Sequence, residues 1–131
     1  MTKTTFMEKY PVFSLQISKN ETKFKSVNEI VAHFEQLIQN HPIAKFIAVF
    51  DHYEHTASIQ DSTISPEIKD AKNVIFCFGK QLPNAKMLAV RPRSVGICEF
   101  EESFEINFLE VPNEQLHSVV ENWAKSVVNT K

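Results

Sequence analysis

Phe46-Ile47-Ala48-Val49-Phe50-Asp51-His52 and, further along, Val74-Ile75-Phe76-Cys77-Phe78-Gly79-Lys80 are two apolar runs that each end abruptly in polar, reactive side chains. A continuous apolar run of this kind fits a strand covered on both faces, as central strands of a sheet are. A polar loop over residues 51–64 separates the two runs. A helix start follows at Ser65-Pro66-Glu67, with a cap, a proline at the first position and an acid in the first turn. A helical crossover allows two strands to run parallel. That orientation would bring Asp51, His52 and His55 to the same sheet edge as Gly79 and Lys80. A third run, Val95 to Phe100, follows Arg91-Pro92-Arg93. If it is antiparallel to the other two, its arginines start at that edge as well. In α/β-type sheets such an edge is where ligands tend to sit.

On the N-terminal side, Phe13, Leu15 and Ile17 alternate with Ser14, Gln16 and Ser18, the pattern of a half-buried strand. Ser26 and Glu29 form a capping box, and Val27, Ile30, Val31, Phe34, Leu37 and Ile38 then fall on one helical stripe. Pro42 disfavours helical geometry at His41, so this helix should end near Asn40. On the C-terminal side, Asn84 is placed to cap a single helical turn over residues 85–90. Val95–Phe100 and Phe104–Leu109 form a hairpin around Glu101-Glu102-Ser103, a loop that pairs Cys98 with Ile106 and puts Cys98 in the core. Asn113 caps a terminal helix with Leu116, Val119, Val120, Trp123 and Val127 on its apolar side.

These elements predict a two-layer α+β domain over residues 1–131, with residues 1–9 outside the ordered fold. The expected sheet is mixed, with about five strands and helices packed on one face, in the order β-α-β-α-β-(α)-β-β-α. The chain is 43% apolar and 23% charged, a globular composition. A net charge of -2 and the absence of a basic stripe argue against nucleic acid as partner. No run is long enough to span a bilayer, and the N-terminus lacks a secretory h-region, which points to the cytoplasm and to Cys77 and Cys98 as free thiols. With only two glycines there is no G-x-G-x-x-G turn and no P-loop, so no nucleotide cofactor is expected. Gly79 is expected to leave its strand through a positive φ, and Gly96 to permit close packing on the hairpin.

From Ser26 to Pro112 the chain resembles a widespread bacterial domain of unknown function, number three hundred and two in its series. The amphipathic helix leads to a strand ending Phe50-Asp51-His52, then to one ending Phe78-Gly79. A Pro-containing helical segment from Pro83, a hairpin and a strand ending at Pro112 follow. The resemblance implies a two-layer α+β fold and no activity. The chain is also similar to small bacterial proteins described only as hypothetical.

His52 and His55 form H-x-x-H beside Asp51, a spacing open to metal or acid–base chemistry. A metal would need further ligands from His33, His41, His117 or Glu54. His33 and His117 fall off the apolar stripes of their helices and should face solvent, so no metal site is expected, with His52 and His55 the sole candidate pair. As catalytic candidates, His52 would transfer a proton and Asp51 would orient it, unless Asp51 only caps the loop. No serine or cysteine nucleophile accompanies them. Arg91 and Arg93, stiffened by Pro92, offer guanidinium forks suited to carboxylate or phosphate, with Lys80 nearby, unless Glu99, Glu101 or Glu102 neutralises them.

The leading expectation is a small domain that binds a small anionic molecule at a sheet-edge cleft. Lys80, Arg91 and Arg93 would be its anion contacts, and His52 and His55 its polar ones. A His-based enzyme or metal-binding protein is the first alternative. A homodimer or other homo-oligomeric module, paired through open sheet edges, is the second.

Overall fold

The computed structural model describes residues 1–129. In chain order the elements are β1 (Thr2–Phe6), β2 (Tyr10–Ser18), a 3-10 turn (Lys19–Glu21), α1 (Val27–Gln39) and β3 (Ala44–Phe50). There follow α2 (His52–Ala57), β4 (Asp70–Phe78), α3 (Met87–Val90), β5 (Arg93–Glu99), β6 (Ser103–Leu109) and α4 (Glu114–Lys125). The strands form one six-stranded sheet in the order β1-β2-β6-β5-β4-β3, antiparallel at every pairing.

The α+β class is as expected; the sheet is not mixed. β3 and β4 run antiparallel, with Ala44 opposite Phe78 and Phe50 opposite Asn73. The segment between them is long enough to cross over or to double back, and it doubles back. The helix it contains is α2, not the one expected from Ser65, where the chain makes only a turn closed by Ile68 N–H to the Ser65 carbonyl at 3.0 Å. β3 is an edge strand with Ile47 51% exposed, not a central one. Its apolar run looks continuous because a bulge between Phe46 and Ala48 breaks the alternation, so that Phe46 and Val49 both share a face with the core residues Phe76 and Val74. Residues 2–6, expected outside the fold, form β1 along β2.

The core lies on one face of the sheet. Ile17, Val74, Phe76, Val95, Ile97, Phe104 and Ile106 meet Ile30, Phe34 and Ile38 of α1 and Val120 and Trp123 of α4. Each such side chain contributes about 1.5–3 kcal/mol when fully buried. α1 carries the predicted stripe, and the Ser26 hydroxyl accepts the Glu29 amide at 3.2 Å. The capping box is only half closed, since Glu29 accepts from the amide of Lys25 and not of Ser26. The region 85–90 does contain the expected helical turn, α3.

The hairpin is tighter than expected. Phe100 N–H bonds to the Ser103 carbonyl at 2.8 Å, and Glu99 pairs with Phe104. The register therefore shifts by one, which reverses the face of every side chain on one strand. Ile97 pairs with Ile106 in the core, while Cys98 sits opposite Glu105 on the other face. That second face is polar at its centre, with Ser14, Gln16, Asn73, Ser94, Glu105 and Asn107.

Candidate functional site

Because β3 and β4 run antiparallel, the expected site residues fall into two groups. Arg91, Arg93 and Gly79 lie at the end of the sheet where β4 leaves and β5 enters. His52 and His55 follow Phe50, which pairs with Asn73. From Asn73 to Phe78, the neighbour of Gly79, is about 17 Å along an extended strand; Arg93, opposite Phe76, is nearer, about 10 Å along it. The cavity that His52 lines and the one that Arg91 and Arg93 line have no residue in common.

At the imidazole end, Asp51 is the N-cap of α2 and accepts the Glu54 amide at 3.1 Å. It also lies 3.6 Å from Lys72 Nζ. The residue that holds His52 is Asn73, whose Oδ1 is 3.0 Å from Nδ1. His52 and His55 both pack on Phe50, each at a ring separation of 5.0 Å. Among the described residues, no three His, Cys, Asp or Glu side chains come together as a metal site.

The other histidines are part of the packing. His33, expected to face solvent, reaches Ser126 Oγ at 2.8 Å, and burial together with Lys23 lowers its pKa. His117 accepts the Val111 amide on Nδ1 at 3.2 Å and packs edge-on against Phe13. His41 accepts the Ile43 amide and lies between Phe78 and Trp123.

At the arginine end is a cavity of about 380 Å³ lined by Phe78, Gly79, Met87, Val90, Arg91, Arg93, Val111, Pro112, Asn113 and Leu116. Local sequence explains its construction. Gly79 takes φ +102°, as expected, and Arg91 lies in the space it leaves, with Nη2 2.9 Å from where a Cβ would stand. Arg91 Nη1 donates to the Gln81 carbonyl at 2.6 Å. Arg93 Nη2 donates to the carbonyls of Leu109 and Glu110 at 2.9 and 3.0 Å, where β6 has ended. Burial lowers the pKa of Arg93, which remains charged as guanidiniums do. Asn113 closes the wall as N-cap of α4, accepting the Leu116 amide at 3.1 Å.

Among the described residues neither guanidinium forms an ion pair. Glu99 pairs with Lys19 at 2.8 Å instead. Lys80 is exposed and outside the cavity lining. Sequence reasoning missed the apolar walls, Met87, Val90 and Leu116. Leu116 does belong to the apolar stripe of α4 and packs against the core, but no residue pattern shows that it also lines a cavity. A larger depression, about 680 Å³, is lined by Glu67, Glu101, Glu102 and Glu105, a setting hostile to anions.

The fold and cavity define a small antiparallel α+β domain with a largely apolar pocket, bordered by two arginines, at one end of its sheet. The chain belongs to the family of unknown function DUF6858, whose model matches residues 1–129. A family without assigned activity was expected, and in that form the expectation holds. Comparison with curated proteins and with solved structures returns no match.

Proposed function

We propose that the protein binds a small amphipathic anion, a carboxylate or similar group on a short apolar body, in the cavity between β4, α3 and α4. The observation that carries this reading is the pair Arg91 and Arg93, without a carboxylate partner among the described residues and set into walls of Phe78, Met87, Val90 and Leu116. A guanidinium has five donors, and the backbone carbonyls bonded here leave several free. The volume of about 380 Å³ lies within the range of small-molecule pockets. The anion would contact Arg91 and Arg93; Lys80, His52 and His55 would take no part.

A thermal-shift series tests this, with hexanoate and octanoate as probes and hexanol as the uncharged control. The carboxylates should raise Tm and hexanol should not. Arg91→Ala should remove the gain without unfolding the chain, because its one backbone contact is in an exposed loop. Equal responses to acid and alcohol, or an Arg91→Ala variant that still responds, would sink the reading.

A homodimer is favoured by a different observation, the edge strand β3 with Ile47, Val49 and Phe50 51%, 39% and 38% exposed. Its unpaired backbone groups are a template for a second strand. Light scattering over a range of concentrations should show a dimer that Val49→Lys converts to monomer. A monomer at every concentration removes this reading.

A further inference from the structure

The uncovered face of the sheet carries a second cavity, about 560 Å³, which adjoins the arginine site at Val90 and Arg93. Its floor is a row of cross-strand neighbours. Ser14 pairs with Asn107, Asn107 with Gly96, and Gly96 with Asn73. The two amides are held in fixed orientations. Asn107 Oδ1 accepts from the Ser14 hydroxyl, and its Nδ2 donates to Glu105 at 2.7 Å. Asn73 Oδ1 meets His52 Nδ1 at 3.0 Å, and Nδ2 donates to Ser94 at 2.9 Å. After these bonds each amide keeps one N–H and one acceptor lone pair. Two preset donor–acceptor edges therefore flank the bare backbone of Gly96.

The protein itself has no need of glycine at that position. Gly96 is not in a positive-φ conformation. A Cβ there would stand 3.5 Å from Asn73 Nδ2 and 3.7 Å from the Asn107 carbonyl, both ordinary contacts. The close packing expected from sequence is thus absent. Glycine inside a strand weakens it and marks a place where a ligand or another backbone comes close. Val90 and Pro92 on one side and Val12 and Leu109 on the other border this floor, and no carboxylate among the described residues lines it.

We infer that this face is a binding site for a planar, uncharged ring with an amide-like edge, of the nucleobase type, lying flat on Gly96 between Asn73 and Asn107. The row of bonds holds the two amides of the floor in place, and the apolar borders would cover the faces and rim of such a ring. The site's floor, Asn73, Gly96 and Asn107, is separate from the arginine cavity, although Val90 and Arg93 line both.

The test is an amide chemical-shift titration of the full chain with adenosine and uridine, with cyclohexanol as the non-planar control. Saturable shifts centred on Gly96, Asn73 and Asn107 are expected from at least one nucleoside. Gly96→Ala should match or exceed the wild-type urea midpoint, because the methyl group fits. It should also weaken binding by about tenfold or more, because the methyl group stands where the ring lies. Asn73→Ala should weaken binding as well. No saturation with a dissociation constant below about 10 mM overturns the proposal. So do equal shifts with cyclohexanol, a Gly96→Ala variant that binds normally, or one that is destabilised.

Discussion

Cys98 faces Glu105 across β5 and β6, with Asp70 and Glu99 nearby. Burial first, and then these three carboxylates, raise its thiol pKa from 9.0 to about 11. The shift lowers the thiolate fraction by about a hundredfold at any pH well below 9, while the more basic thiolate is the better nucleophile and recovers a factor of about ten. Alkylation by iodoacetamide at Cys98 should therefore run about tenfold slower than at an unperturbed thiol. Glu105→Gln should speed it up, and a Cys98 rate equal to that of free cysteine would contradict the assignment. What sequence conveyed about single residues depended on how local each one's role is. Gly79 and the caps Ser26 and Asn113 act within a few residues of themselves and were legible. Cys98 depended on a one-residue choice of hairpin register, and His33 and His117 on partners from distant segments. Arg91 and Arg93 stood out as a cationic pair, though not whether Glu99, Glu101 or Glu102 neutralised it; the walls around them did not stand out.

Elements with a periodic apolar face were readable, and those without one were not. α1 and β2 each show a regular stripe because one side of each is buried. β1 has no buried residue, so Thr2–Phe6 carries no hydrophobic signal and is held by its backbone pairing with β2. The turn between these strands puts Met7 and Glu8 at φ 53° and 59°. Each side chain there costs about 1–2 kcal/mol relative to the ordinary helical region. Glu8→Gly should stabilise the β1–β2 hairpin by about 1 kcal/mol, read as slower hydrogen exchange of the β1 amides. Unchanged exchange would show that the strain is not felt. β3 shows the opposite failure, since its bulge turned an edge strand into an apparent central one. At α4, Asn113→Ala should cost about 1 kcal/mol in urea unfolding, and Asn113→Asp should restore most of it. A cost of zero for the alanine variant would mean that the cap contributes nothing at the cavity wall.

The molecule is a single sheet with its two long helices on one face, so its stability depends on how α1 and α4 stay together over the shared core. His33 is one of the links. It sits on α1, reaches Ser126 just beyond α4 at 2.8 Å, and packs against Phe24 at a ring separation of 5.0 Å. Burial, and then the charge of Lys23, lower its pKa below 6.5, so the folded state prefers the neutral ring. The unfolded chain therefore binds a proton at higher pH than the folded one does. The contribution to stability is complete above pH 6.5. It falls as the pH drops through 6.5 toward the lowered folded value, and levels off below that. His33→Gln keeps a donor for Ser126 but cannot titrate. Urea midpoints of the two proteins, compared between about pH 7.5 and 5, isolate this residue from the other four histidines, which both proteins share. The wild type should lose more stability than the variant across that interval. Parallel curves would mean that the helix pair does not sense the charge of His33, and that acid acts on the fold through other groups.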